Sequence, residues 1–267
     1  MTGASPRILL LIPAYNEASR IGPVLETYAL YFREHHPDNF HLVVVLNGCT
    51  DDTLGVVERA SEQYPEISHV NIPEPIGKGG ALIEGLKLAP KADLVGYVDA
   101  DGATTPAAFD DLVTECAGAD CVIGSRWMAD SVLRQEQTFR RQFASRVFHT
   151  IVQGFFWMNI RDTQCGAKVM RREAVEKIHS QLTVADMAFD INLLYALKRS
   201  GYTVCEVPTE WTDQIGSKVE MGRTSLVMLL SVIRLRLYYS PFYRLLAPLR
   251  PIEAWLYRKL SAPPPLK

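Results

Sequence analysis

Leu94-Val95-Gly96-Tyr97-Val98 runs straight into Asp99-Ala100-Asp101. The first five residues are an apolar, β-prone run, so a strand ends where the two carboxylates begin. Residues i and i+2 of a strand face the same side, and at a strand end both carboxylates can reach one cation. Hard oxygen ligands suit Mg2+ or Mn2+, which share their shells with substrate phosphates. The competing reading is an acidic turn that caps a helix starting near Pro106. What surrounds the strand bears on that choice.

Outward from it, the same pattern repeats. Residues 8–12, 42–46, 69–72 and 121–123 are further short β-rich runs bounded by turn residues. Helical patterns lie between them, over 20–33, 53–64, 79–88 and 106–116. This alternation predicts an α/β fold, a mostly parallel sheet with helices on both faces. Such sheets bind ligands at the carboxyl ends of their strands. Most of the unusual residues here follow strand ends.

The second half changes character. Residues 125–138 are polar and aperiodic, a loop; 139–160 form a long helical pattern, densely aromatic at Phe155, Phe156 and Trp157. A helix over 188–199 stops at Gly201, a strand over 203–207 precedes Pro208, and an amphipathic helix over 222–239 carries Arg234 and Arg236. Pro241, Pro248, Pro251 and a final proline run break the rest. The expected organisation is one domain over 1–240 and a Pro-rich, membrane-peripheral tail over 241–267.

Bulk properties exclude several classes. The chain has 267 residues, 48% of them hydrophobic and 22% charged, an ordinary globular balance. A net charge of −2 gives no reason to expect a nucleic-acid partner. Its five cysteines form no C-x-x-C pair and read as reduced thiols. No signal segment is expected at the N-terminus, and no run reaches the ~20 apolar residues of a membrane span.

Other strand ends carry further candidates. Pro13-Ala14-Tyr15-Asn16-Glu17 can hold a base and ribose, or can be a turn in which Asn16 or Ser19 caps a helix. Asn47 can hydrogen-bond a base, while Thr50 or Asp51 can cap the next helix. Lys78, among glycines at a helix start, suits a phosphate, although neither G-x-x-x-x-G-K-[ST] nor G-x-G-x-x-G is present. Arg126 offers a bidentate fork to phosphate, or a surface salt bridge. There is no metal-thiolate set, no G-x-S-x-G elbow and no histidine ligand spacing.

In this order, Pro-Ala-Tyr-Asn-Glu, Gly-Cys-Thr-Asp-Asp-Thr, Gly-Lys-Gly-Gly-Ala, Asp-Ala-Asp and Gly-Ser-Arg resemble the inverting family-2 glycosyltransferases of the GT-A (Rossmann-like) fold. Residues 99–104, 161–166, 188–190 and 216–218 are most similar to the dolichyl- or polyprenyl-phosphate sugar transferases, first the β-glucosyltransferases and then the mannose synthases. The resemblance spans about residues 7–240. It implies that Pro13, Ala14, Tyr15 and Glu17 line the nucleoside site, with Asn47 by the base and Lys78 near the nucleotide. It implies that Asp99, Ala100 and Asp101 meet diphosphate and metal. Arg126, Ser217 and Lys218 would meet phosphates, and Asp162, Gln164 and Asp190 would lie near the sugar and the reacting centre. The chain departs from that pattern at Leu46-Asn47, where two acidic residues are common, and at Ala103 and Gln214. It also lacks a transmembrane pair after Tyr239.

The implied reaction is inverting transfer of a hexose from UDP-glucose, or from GDP-mannose, to a polyprenyl or dolichyl phosphate. Mg2+ or Mn2+ is the implied cofactor, and the cytoplasmic face of a membrane the implied location. A phosphate acceptor is already largely ionised at neutral pH, its second pKa being ~6. It needs cations, which Arg126, Arg134, Arg140, Arg141 and Lys218 can supply. A soluble or protein hydroxyl acceptor would instead need a base, for which Asp190 is the candidate. A sugar nucleotidyltransferase would place a glycine-rich basic loop after the first strand, where this chain has Pro13 to Glu17. A binding or scaffold protein would have no need of Asp99, Asp101 and Arg126. No Gln-x-x-Arg-Trp of processive polysaccharide synthesis occurs.

Overall fold

A computed structural model of the chain describes residues 5–134, 139–186, 188–212 and 221–240, with backbone alone over 139–145 and 221–226. The tail over 241–267 lies outside the described residues, as do Ser217 and Lys218. The first half follows the expected alternation: β1 (Ile8–Ala14), α1 (Ile21–His35), β2 (Phe40–Asn47), α2 (Thr53–Gln63), β3 (Ile67–Ile72), α3 (Gly77–Leu86), β4 (Leu94–Tyr97), α4 (Pro106–Glu115) and β5 (Cys121–Ser125). The second half holds β6 (Val132–Leu133), α5 (Phe139–Phe156), β7 (Lys168–Arg171), α6 (Arg172–Ile178), α7 (Phe189–Arg199), β8 (Val204–Pro208), β9 (Glu210–Trp211) and α8 (Met221–Tyr238).

Seven strands make one sheet in the order β3-β2-β1-β4-β7-β5-β8. Every pairing is parallel except those of β7, which runs against both β4 and β5. Alternate side chains of β1 explain why it is an interior strand. Ile8, Leu10 and Ile12 enter a core shared with α1 and α4, and Leu9 and Leu11 enter a second core shared with α3 and α7. A strand buried on both faces reads as a continuous apolar run. On α1, Ile21, Leu25, Tyr28 and Phe32 fall on one buried stripe. Phe32 stacks on Phe40 at 4.1 Å and meets Phe109 edge-on at 5.9 Å. Truncating a side chain so packed costs about 3–5 kcal/mol.

Two differences from the sequence reading matter for the site. The pair β7–α6 was not anticipated, because a four-residue strand starting with a buried lysine breaks the apolar pattern. The loop over 125–138 contains β6, which pairs with β9 in a small second sheet that also bridges Thr104 to Trp211. The reversed direction of β7 has a direct consequence. It starts at the rim where β4 and β5 end, with Tyr97 and Ile123 both opposite Lys168. The segment 161–167 is therefore delivered to the same rim as Asp99 and Arg126.

Candidate active site

At the exit of β4, the stretch from Asp99 to Thr104 is pinned from three sides. Tyr28 Oη donates to Thr104 O (3.0 Å), Thr212 N to Ala103 O (3.0 Å), and Ala103 N to Asp101 Oδ1 (3.0 Å). The chain turns at Gly102, whose φ of +72° favours glycine. Ala100 is buried, while Asp99 and Asp101 stay partly accessible. Neither carboxylate caps α4. Thr105 does so, accepting from Ala108 N at 3.2 Å, which removes the competing reading of the acidic pair. Burial, and then the charge of Asp99, push the Asp101 carboxyl above its usual range. A shared cation would relieve the charge that Asp99 places on Asp101.

Lys78 enters this corner from the first turn of α3, its Nζ 2.5 Å from Asp99 Oδ1. Burial opposes its charge, but Asp99 and Asp190 outweigh it and raise the ammonium's pKa. The helix begins at Gly77, two residues earlier than the sequence pattern indicates. That glycine has φ +80°, and a Cβ there would stand 2.4 Å from Ala185 O.

The β1 exit forms the opposite wall. Pro13 and Ala14 close the strand, and Tyr15 is 54% exposed. Asn16, at φ +55°, does not cap α1, whose N-cap Arg20 has no side-chain bond. Its Oδ1 instead accepts from Thr50 N (2.8 Å) and Asp51 N (3.3 Å), locking two loops together. Asp51 accepts from Ala18 N (3.1 Å) and from Thr53 N (3.1 Å). Glu17 pairs with Arg20. That bond raises the Arg20 pKa, and the charges of Asp101 and Asp99 add to it. Asn47 is nearly sealed, and its Oδ1 accepts from Ile76 N at 2.7 Å. It holds the loop before α3 in place.

The other half of the rim is a set of buried ion pairs. Arg126 grips Asp162 through Nε (2.7 Å) and Nη2 (2.9 Å), its own backbone N adds a third bond (3.0 Å), and Nη2 also reaches Gln164 O (3.2 Å). Arg126 lies 5.1 Å from the Trp211 ring centre. Asp162 is 3% exposed, so this is not a surface salt bridge. Burial alone would push the Asp162 carboxyl up, and the bonds from Arg126 hold it below the usual range. Glu206 on β8 braces the segment by accepting from Arg161 N (2.8 Å) and Asp162 N (3.0 Å). Next to them, Lys168 Nζ lies 2.6 Å from Asp190 Oδ1, and Tyr97 Oη donates to the same oxygen. Gly166 joins the two halves. A Cβ there would meet Asp99 Oδ2 at 2.5 Å and the Trp211 ring at 3.0 Å.

The rim therefore gathers Pro13, Ala14, Tyr15, Glu17, Asn47, Lys78, Asp99, Ala100, Asp101, Arg126, Asp162, Gln164 and Asp190. Arg134 sits further out, exposed and paired with Glu210. Lys168, Tyr97, Trp211, Gly166 and Arg20 were missed as site residues. Lys168 and Trp211 carry no motif signal, because their partners are distant in sequence.

Nucleotide-sugar enzymes of the GT-A fold share this architecture. A glucosyl-3-phosphoglycerate synthase from Mycobacterium tuberculosis, crystallised with Mn2+, UDP-glucose and phosphoglyceric acid, superposes with a TM-score of 0.65 at 20% identity, over 87% of this chain and 80% of that one. The chain belongs to glycosyl transferase family 2, whose family model matches residues 10–179. Among its relatives, the dolichyl-phosphate β-glucosyltransferase of Dictyostelium discoideum is 30% identical over 86% of this chain and 74% of its own length. Glycosyltransferase AglD of Haloferax volcanii is 30% identical over 87% of this chain, which spans only 37% of that relative's length.

Proposed function

We propose that the chain transfers glucose from UDP-glucose, with inversion, to a dolichyl or polyprenyl phosphate. The observation that carries this reading is the corner at the exit of β4, where two partly accessible carboxylates stand beside a lysine. Asp99 and Asp101 would hold Mg2+ or Mn2+, which offsets the charge of the departing diphosphate as a Lewis acid. Among the described residues no group of three or more His, Cys, Asp or Glu side chains joins into a metal set. Two carboxylates plus phosphate oxygens and water suit these ions. Lys78 adds positive charge at the same diphosphate. The exposed Tyr15 face and Glu17 border the place of the nucleoside, and Asn47 shapes its wall.

The acceptor follows from chemistry and from the relatives' names together. An alcohol acceptor needs a base, but Asp162 and Asp190 are each already bound to a cation. A phosphate monoester brings its own ionised oxygen, its second pKa being ~6. That oxygen attacks the anomeric carbon opposite the diphosphate, the bond from that carbon to the leaving oxygen breaks, and UDP departs. Ser217, Lys218, Arg134 and the Nη1 edge of Arg126 are the groups this reading assigns to the acceptor phosphate.

For the lipid, Trp157 (81% exposed), Phe155, Val147, Ile233 and Leu237 stand out beside the exposed Arg146 and Arg236 on the packed pair α5–α8. Apolar residues interleaved with arginines suit an anionic membrane surface, here the cytoplasmic face. No helix among the described residues is long and apolar enough to cross a membrane. A screen of UDP- and GDP-sugars with a short polyprenyl phosphate and Mn2+ tests the proposal. UDP-glucose should give glucosyl phospholipid, and EDTA should abolish it. Transfer to hydroxyl acceptors alone would overturn the acceptor assignment.

A further inference from the structure

Lys168 is wholly buried in the centre of the sheet, on the strand flanked by β4 and β5. A buried ammonium is costly unless it is paired and hydrogen-bonded. Its Nζ makes two bonds, to Asp190 Oδ1 at 2.6 Å and to Cys165 O at 2.7 Å. Tyr97, also buried, donates its hydroxyl to the same Asp190 oxygen. Asp190 stands in the first turn of α7, where the helix dipole favours an anion. Burial would neutralise the Asp190 carboxyl, but Lys168 and Lys78 outweigh it and hold it ionised.

The geometry is one-sided. Both donors converge on Oδ1, and among the described residues none reaches Oδ2. The side chain keeps a small exposed part, and it lies near enough to Lys78, the partner of Asp99, for their charges to interact. We infer that Lys168 and Tyr97 are positioning residues that fix Asp190 so that its Oδ2 accepts a hydroxyl of the transferred sugar. Lys168 supplies the charge, Tyr97 sets the rotation of the carboxylate, and Asp190 touches the substrate. The inference rests on the reading that the donor is a nucleotide sugar, and it gives Asp190 a fixed hydrogen-bonding role instead of a base.

The test compares binding of the nucleotide with binding of the nucleotide sugar, by calorimetry with Mn2+ on the full chain. The pair is UDP and UDP-glucose, or GDP and GDP-mannose if the wild type binds those. Tyr97→Phe removes one hydroxyl and keeps the ion pair. It should leave nucleotide affinity within about twofold, weaken nucleotide-sugar affinity about tenfold and lower kcat, the scale of a hydrogen bond to a charged group. Lys168→Met should do the same more strongly. Where it fails to fold, Lys168→Met with Asp190→Asn removes both charges together and should lose the sugar-dependent affinity. A purely structural role would lower both affinities in proportion, with a falling Tm, and would overturn the inference. So would wild-type affinity and kcat in Tyr97→Phe. A failure of the donor assignment shows in the wild type alone, as a preference for the other nucleotide sugar, and leaves the variant comparison readable.

Discussion

The two halves of the rim differ in how far they bury and satisfy their carboxylates. On the β1–β4 side, Asp99 and Asp101 remain partly accessible; Lys78 pairs with Asp99 only, and Asp101 has no ion pair among the described residues. On the β5–β7 side, Asp162 and Asp190 are buried, and each is locked to a cation with further donors around it. Two accessible carboxylates beside one lysine keep negative charge that a cation from outside the chain would offset. Carboxylates already satisfied are arranged to hold geometry. Under the proposed function, the first pair serves the donor's diphosphate, and the second set the placement of sugar and acceptor.

The largest expected effect separates the halves by activity. Asp101→Asn should cut kcat about 10²–10³-fold, as loss of a group that stabilises developing charge does, while Tm stays close to wild type. Steady-state kinetics beside a thermal melt would show it, and a large loss of Tm would break the distinction. On the other side, Arg126→Ala leaves Asp162 buried without its partner. It should lower stability by about 3 kcal/mol or more in a denaturant titration.

Acid sharpens the same contrast. The Asp162 carboxyl is held below its unfolded value of about 3.9. A depressed folded pKa contributes stability above that value and loses it as pH falls through the folded pKa. The gap in stability between wild type and Asp162→Asn should therefore be full at neutral pH and shrink below about pH 4. A gap that is constant down to pH 2 would show that charge is not what holds the clamp. The smallest effect concerns Asn47. Asn47→Ala strands the Ile76 N–H and should cost about 1–3 kcal/mol, with donor KM rising as the loop before Lys78 loosens. Unchanged stability with a large change in base preference would return Asn47 to direct base contact.

Much of the β1–β4 half was legible in the sequence, because its cues are local. Apolar runs end in Pro13–Glu17, Asn47 and Asp99-Ala100-Asp101, and the rule that ligands bind beyond strand ends does the rest. Local cues also misled where two readings share a residue. Asn16 reads as a helix cap, yet it locks two loops that lie 34 positions apart. The β5–β7 half was harder to read for a physical reason. Arg126 meets Asp162 across 36 residues and Lys168 meets Asp190 across 22, and no periodicity encodes such pairs. Lys168 hid the strand it begins, since a buried lysine is the opposite of a strand-core signal. Its partner Tyr97 looked like one more apolar residue of β4.

Mn2+ titrated into the protein with UDP present, followed by the free-ion electron paramagnetic resonance signal, addresses the central claim most directly. Wild type and Tyr97→Phe should both deplete the free signal at stoichiometric Mn2+, and Asp99→Asn and Asp101→Asn should leave it nearly intact. Depletion by Asp101→Asn equal to wild type would contradict the assignment of the open corner to the metal and the donor diphosphate.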